Sequence, residues 1–361
     1  MLPVAANAAT GTLSTGDSAT PAGSQHYELY VPSTYQAGVA MPLVVALHGC
    51  TQSAEIFRRQ THWDALAEAK GFIVLFPDQD PNANQYKCWN FFQDGHMHRG
   101  SGEPAKIAGA TADIASHYAI DPHRIYVAGL SAGGAMASVM GATYPDVFAA
   151  IGSGSGCEYA ATATCAGYKS ADPAQAARQA YAEMGPRARV LPFIAFQGDA
   201  DKTVPPVNAD QLVQQWLTTD DLADDAQLNG SVRQSPSSTS RGGGGSIGGG
   251  SAPTGAPATG APAGLPSWTK YLPWGRTSTG AAGVTSASGS GATSTAGASS
   301  AETYTVRKYT DAKSAEIAEY WTVHGMAHAW SGGDASQQYS DPNGPDATAA
   351  MYAFFMSHPR P

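Results

Sequence analysis

Arg124-Ile125-Tyr126-Val127-Ala128-Gly129-Leu130-Ser131-Ala132-Gly133-Gly134 is the stretch on which the reading of the fold turns. Its first five residues form a β-branched and aromatic run that reads as a buried strand. From Ala132 to Ala142 small and apolar residues resume as a helix. Between the two, Gly129 to Gly133 spells G-x-S-x-G, a sharp strand-to-helix turn that lifts the Ser131 hydroxyl clear of the backbone. In a chain with 41 glycines the motif carries little weight alone, and its place between a strand and a helix is what discriminates. Ala132, Gly133 and Gly134 are small enough for the turn to lie against neighbouring strands.

Outward from this turn, strands and helices alternate. Upstream, Tyr27 to Val31 and Leu43 to Leu47 read as strands, the second an unbroken apolar run that needs cover on both faces. An amphipathic stretch from Thr61 to Lys70, ended by Gly71, leads into the strand Phe72 to Phe76, stopped by Pro77. A helix from Ile107 to Tyr118 precedes the central strand. Downstream come the strand Phe148 to Ile151, the strand Val190 to Phe196, a helix from Asn208 to Leu217, a late strand Glu316 to Val323 and a C-terminal helix from Asp346 to Met356. Such alternation implies an α/β fold, a doubly wound, mostly parallel sheet with helices on both faces.

With 361 residues, 42% of them hydrophobic, the chain can bury a sizeable core, so disorder throughout is excluded. A net charge of -9, with only 14% charged residues, offers no basic surface for a phosphate backbone, and no nucleic-acid partner is expected. Apolar runs such as Phe193 to Phe196 are strand-sized, far short of the roughly 20 residues of a membrane helix, so no membrane span is expected. Met1 to Ala9 reads either as the Ala-rich remnant of a trimmed export signal or as an initiator Met on a mature sequence. Cys50, Cys88, Cys157 and Cys165 show no metal-binding or redox spacing, and no metal or cofactor is expected. Disulfides Cys50–Cys88 and Cys157–Cys165 are the expected pairing, because the second closes a short loop; four buried free thiols are the alternative.

A serine hydroxyl needs a base to take its proton and a carboxylate to orient that base. After the strand ending at Phe196 comes Gln197-Gly198-Asp199-Ala200-Asp201, and Asp201 is the expected acid with Asp199 as its rival. After the last strand comes His324-Gly325-Met326-Ala327-His328, and His328 is the expected base, with His324 as the alternative. The backbone N–H of Ala132 and that of Cys50, in Leu47-His48-Gly49-Cys50-Thr51-Gln52, are the expected donors to a tetrahedral oxyanion. A Cys50–Cys88 disulfide would hold the second donor in place. His48 is expected to brace that loop rather than catalyse, and His96 with His98 lacks metal-ligand spacing. Trp89 and Trp330 flank the site in sequence and either line an acyl or aromatic pocket or simply pack in the core.

These blocks, with Cys88-Trp89-Asn90, Arg99-Gly100-Ser101-Gly102-Glu103-Pro104 and Ala327-His328-Ala329-Trp330-Ser331-Gly332-Gly333, resemble the polyhydroxybutyrate depolymerase-type esterases, which are similar to feruloyl and acetyl xylan esterases. The resemblance covers most of the chain outside residues 235–300. It implies one exported α/β-hydrolase domain that cleaves esters without a cofactor, with Ser131, Asp201 and His328 as the triad. It points toward an aliphatic polyester or short-chain ester, with feruloyl or acetyl esters as alternatives, and the chain is expected to act as a monomer. Gln197 stands where many relatives carry His, and Ala327 where Gly is usual.

From about Ser235 to Ser300 the chain is dominated by Gly, Ser, Thr, Ala and Pro, a composition that cannot offset its ordering entropy. It is expected to be a mostly disordered insertion within the single domain 1–361, starting at the sheet edge away from the site and crossing the domain. Its aromatic island, Leu265 to Trp274, is expected to dock, either back on the parent domain or on a polymeric substrate, and is placed at the cleft rim. Two other readings compete. A prolyl-type peptidase shares the serine turn but usually carries a propeller domain, of which no repeat is present. A non-catalytic polymer-binding module would leave the three triad candidates as coincidence.

Overall fold

A computed structural model describes residues 10–161, 165, 172–234, 238–241 and 301–361. The aromatic island, Met1 to Ala9 and most of the Gly-rich stretch lie outside the described residues.

The strands are β1 (Thr12–Thr20), β2 (Gly23–Val31), β3 (Met41–Leu47), β4 (Ile73–Asp78), β5 (Ile120–Leu130), β6 (Ile151–Gly154), β7 (Phe193–Gly198), β8 (Arg233–Gln234), β9 (Ser238–Arg241), β10 (Thr303–Thr310) and β11 (Glu316–Val323). They form one sheet in the order β1-β2-β4-β3-β5-β6-β7-β11-β10-β8, with β9 also on β10. From β4 to β11 neighbours are parallel, and the flanking pairs β1-β2, β2-β4 and β10-β11 are antiparallel. The helices are α1 (Ala54–Thr61), α2 (Trp63–Lys70), α3 (Gly102–His117), α4 (Ala132–Thr143), α5 (Pro173–Met184), α6 (Val207–Asp225) and α7 (Ala347–Ser357). A small parallel pair, β12 (Trp330–Ser331) with β13 (Ser340–Asp341), follows β11.

Strand pleating explains why the apolar runs are unbroken. Side chains alternate between faces, so Leu43, Val45 and Leu47 of β3 join one core with Ile107, Ala135 and Leu212 from α3, α4 and α6. Val44 and Ala46 join the other with Phe57, Leu66 and Phe355 from α1, α2 and α7. All seven residues of β3 are buried, and each Val or Leu so placed stabilises the fold by about 1.5–3 kcal/mol. All twelve residues of α4 are buried too, as befits a helix between the sheet and other helices.

Several boundaries differ from the sequence reading. Pro77 lies inside β4 rather than ending it, because it pairs with Tyr27 of β2 while the ladder to β3 on the other side stops at Leu75. The fourth parallel strand is Ile151–Gly154, displaced toward the glycines from the expected Phe148 to Ile151; pairing with Val127 to Leu130 sets that register. The stretch read as helical from Thr61 to Lys70 is α2, which starts only at Trp63, because His62, in the left-handed region at φ 55°, separates it from α1, a helix the sequence reading did not include. Strand β9 falls within the stretch read as disordered from Ser235. Its Ser-Thr-Ser-Arg backbone pairs Thr303 to Val306 of β10, and a main-chain ladder needs no apolar side chain. As β8 pairs Tyr309 and Thr310 and β9 pairs Thr303 to Val306, the chain crosses the domain along β10 before residue 242. Both flanks of residues 242–300 thus join one sheet.

Both expected disulfides, Cys50–Cys88 and Cys157–Cys165, are present. Just after Cys157, Glu158 is 1% exposed and neither carboxylate oxygen has a hydrogen-bond partner among the described residues. Burial pushes its pKa up from 4.5 to about 7. The unfolded chain therefore ionises at lower pH than the folded one. Stability from this group is full below about pH 4.5 and falls as pH rises toward 7, by up to about 3 kcal/mol. Glu158→Gln should raise the melting temperature more at pH 8 than at pH 5. Equal shifts at the two pH values in calorimetry would count against this account.

Candidate active site

Ser131 sits at the junction of β5 and α4 with φ 58° and ψ -120°, outside the regions that side chains favour. The surroundings hold it there. Its N–H donates to Gly154 O at 2.8 Å, and its carbonyl accepts from Ala135 N at 2.9 Å. The turn also needs Gly133, where a Cβ would lie 2.1 Å from Leu47 O. The hydroxyl is thereby presented at the carboxyl edge of the sheet, in a cleft lined by Gly49, Cys50, Gln52, Leu130, Ser131, Thr203, His328 and Tyr339.

His328 and Asp201 reach this edge from the ends of β11 and β7. His328 Nδ1 lies 2.7 Å from Asp201 Oδ2, and both side chains are nearly fully buried. Asp201 Oδ1 accepts from the N–H groups of Thr203 and Val204 at 2.8 and 2.9 Å, and Gln197 Nε2 donates to Oδ2 at 3.2 Å. Burial alone would raise the Asp201 pKa, but His328 and these N–H donors hold it below 3.8. With Nδ1 on the carboxylate, Nε2 is the nitrogen left for the cleft.

The two rivals are placed together, apart from this pair. His324 Nδ1 meets Asp199 Oδ2 at 2.8 Å, and its Nε2 meets Thr305 Oγ1 at 2.8 Å. With both ring nitrogens engaged, His324 has none for Ser131. Asp199 also accepts from Gly325 N at 2.7 Å, and main-chain bonds Asp199 N to Val323 O and Ala200 N to Met326 O, both 3.1 Å, join the loop after β7 to the loop after β11.

On the opposite wall, Gly49 N donates to Gln52 Oε1 at 2.8 Å and Thr51 N to Tyr86 O at 2.6 Å. The N–H groups of Cys50 and Ala132 make no such bond among the described residues. Buried His48 braces this loop: its Nδ1 donates to Gly49 O at 2.7 Å, and its Nε2 accepts from Gln79 N at 3.0 Å. Glu103, 1% exposed, accepts from Asn90 N and Asn90 Nδ2, each at 2.6 Å, and so ties down the segment carrying Cys88.

Trp89 and Trp330 do not line the cleft. Trp89 is 0% exposed and donates Nε1 to His48 O at 3.0 Å; Trp330 is 1% exposed, donates to Thr348 Oγ1 at 3.0 Å and packs edge-on against Phe57. Both rings are core supports for the loops that line the cleft. The aromatic in the cleft is Tyr339, whose ring meets His328 edge-on at 5.9 Å between centroids. Sequence reading missed it because Ser336-Gln337-Gln338-Tyr339 carries no motif. Thr203 was missed likewise. Among the described residues no group of three His, Cys, Asp or Glu is placed to hold a metal ion.

The family model for Esterase PHB depolymerase matches residues 25–235, more than half of the chain. The chain belongs to that family. Its match to the poly(3-hydroxyalkanoate) depolymerase C of Paucimonas lemoignei is 37% identical over 198 residues, spanning 52% of this chain and 46% of that protein. Acetylxylan esterase A of Emericella nidulans is 31% identical over 220 residues, spanning 56% of this chain and 68% of the relative. The solved acetyl xylan esterase from Aspergillus awamori superposes with a TM-score of 0.57 at 20% identity, covering 88% of this chain and 94% of that one. At that identity the likeness shows the shared fold, the α/β-hydrolase fold of these esterases. Among the described residues of this family member, no helix is long and apolar enough to cross a membrane.

Proposed function

We propose that this chain is a secreted serine-nucleophile carboxylic ester hydrolase, organised as one catalytic domain with residues 235–300 inserted in it. The observation that carries the reading is His328 held by Asp201 in the cleft that Ser131 lines, with two N–H donors, of Cys50 and Ala132, that are unengaged among the described residues. In this reading Ser131 Oγ attacks the ester carbonyl carbon while His328 Nε2 takes its proton. The N–H groups of Cys50 and Ala132 receive the developing oxyanion, each contributing about 3–4 kcal/mol to the transition state. His328 then protonates the departing alcohol, leaving an acyl-enzyme on Ser131. Water, deprotonated by the same imidazole, releases the acid. The two disulfides fit an oxidising, extracellular setting.

The substrate class we propose is an aliphatic polyester of the polyhydroxyalkanoate kind, or a short-chain ester, on the strength of the family and of the depolymerase at 37% identity. Acetyl ester on xylan is the second reading, favoured by coverage: the match spans 68% of the acetylxylan esterase but 46% of the depolymerase. Purified protein should be offered polyhydroxybutyrate granules, p-nitrophenyl butyrate, acetylated xylan and methyl ferulate. Release of hydroxybutyrate with turnover of the butyrate ester is the expected result. Turnover of acetylated xylan alone would establish the second reading, and no hydrolysis of any ester would remove both.

A further inference from the structure

Two buried carboxamides have no part in the chemistry above. Gln52, on the loop after β3, is 3% exposed, and Gln60, on α1, is 0% exposed. Apolar side chains would fill either place with no polar atom to satisfy, whereas a buried carboxamide is costly unless its hydrogen bonds are made. Here they are made in one direction. Gln60 Nε2 donates to Gln338 O at 3.1 Å and also to Tyr339 O, two carbonyls that only an NH₂ group can satisfy. This turns Gln60 Oε1 toward Gln52, whose Nε2 donates to it at 2.7 Å. Gln52 Oε1 is then left to accept from Gly49 N at 2.8 Å.

Each end of this line meets a group the reaction needs. At one end Gly49 precedes Cys50. The carbonyl of Gly49 is held by His48 Nδ1 at 2.7 Å and by Gln52 N at 3.3 Å. In a trans peptide the N–H points opposite to the C=O, so holding Gly49 O aims the Cys50 N–H the other way. At the other end Tyr339 is kept at φ 59°, a strained setting for an aromatic residue, with its carbonyl also accepting from Trp330 N at 2.7 Å. Its ring is the one that packs on His328.

We propose that Gln60 is a positioning residue for ester hydrolysis, acting through Gln52 on the Gly49–Cys50 loop and through Tyr339 on the ring of His328. The proposal rests on the serine-hydrolase reading of the cleft. Gln60→Met keeps the side-chain length and removes both hydrogen-bonding ends. Its kcat for p-nitrophenyl butyrate should fall about tenfold while KM stays within about twofold, because the oxyanion donor acts in the transition state and not on the bound ester. Gln52→Met should behave alike. Since both interrupt one line, the double variant should be slower than the slower single variant by no more than about twofold.

A folded Gln60→Met protein with wild-type kcat, or losses that multiply in the double variant, would overturn the proposal. If Gln60→Met shows no melting transition, Gln52→Met alone decides: a fall in kcat at constant KM supports the line, and unchanged kcat overturns it. Ser131→Ala measured alongside keeps the two readings separate. Hydrolysis that survives loss of Ser131 defeats the serine mechanism, whereas serine-dependent hydrolysis untouched by the glutamine variants defeats only the relay.

Discussion

Ser131→Ala should lower kcat for p-nitrophenyl butyrate by about a million-fold, to near the rate left by the donors and binding alone. The size follows from the two-step route. Without Oγ no acyl-enzyme forms, and His328 has no alcohol to deprotonate. The variant should still fold, because the bonds that hold the turn are backbone bonds from Ser131 N to Gly154 O and from Ala135 N to Ser131 O, which alanine keeps. An unchanged melting temperature with activity at background is therefore the expected pair of results. A loss smaller than about a hundredfold would mean that the ester is attacked by another group, and the proposed mechanism would be wrong.

Asp201→Asn comes next in size, with an expected fall in kcat of about ten-thousand-fold at neutral pH. Its Oδ1 can still accept from Thr203 N and Val204 N, so the loop keeps its shape. What changes is the group facing His328 Nδ1. An NH₂ there demands an acceptor, so the imidazole carries its proton on Nε2 and cannot take one from Ser131. Asp199→Asn serves as the control. Asp199 is about half exposed and pairs with His324, so its loss should cost less than about tenfold. Steady-state kinetics of the two variants decides between acids two residues apart, and a larger loss at position 199 would reverse the assignment.

The contrast between these aspartates shows where sequence reading ends. An apolar run of strand length marked Leu43 to Leu47 directly, because a strand buried on both faces needs apolar residues at every position. The turn at Ser131 was equally legible, since only small residues fit there. Strand β1 was not: Thr12 to Thr20 is an exposed polar edge held by backbone pairing to β2, which leaves no hydrophobic period. Nor was α5, and the register of β6 came from its neighbours.

What the sequence by itself determined is the set of chemical groups and the order in which they follow strands: a serine after β5, two acids after β7, two histidines after β11. Local sterics and burial dictate that much. Which acid meets which histidine, which N–H groups stay unengaged, and that Tyr339 rather than Trp89 or Trp330 faces the cleft were decided by the tertiary structure alone. The acid–histidine pairings are distances between residues more than a hundred positions apart, set by how six parallel strands stack in register, and no local pattern encodes them.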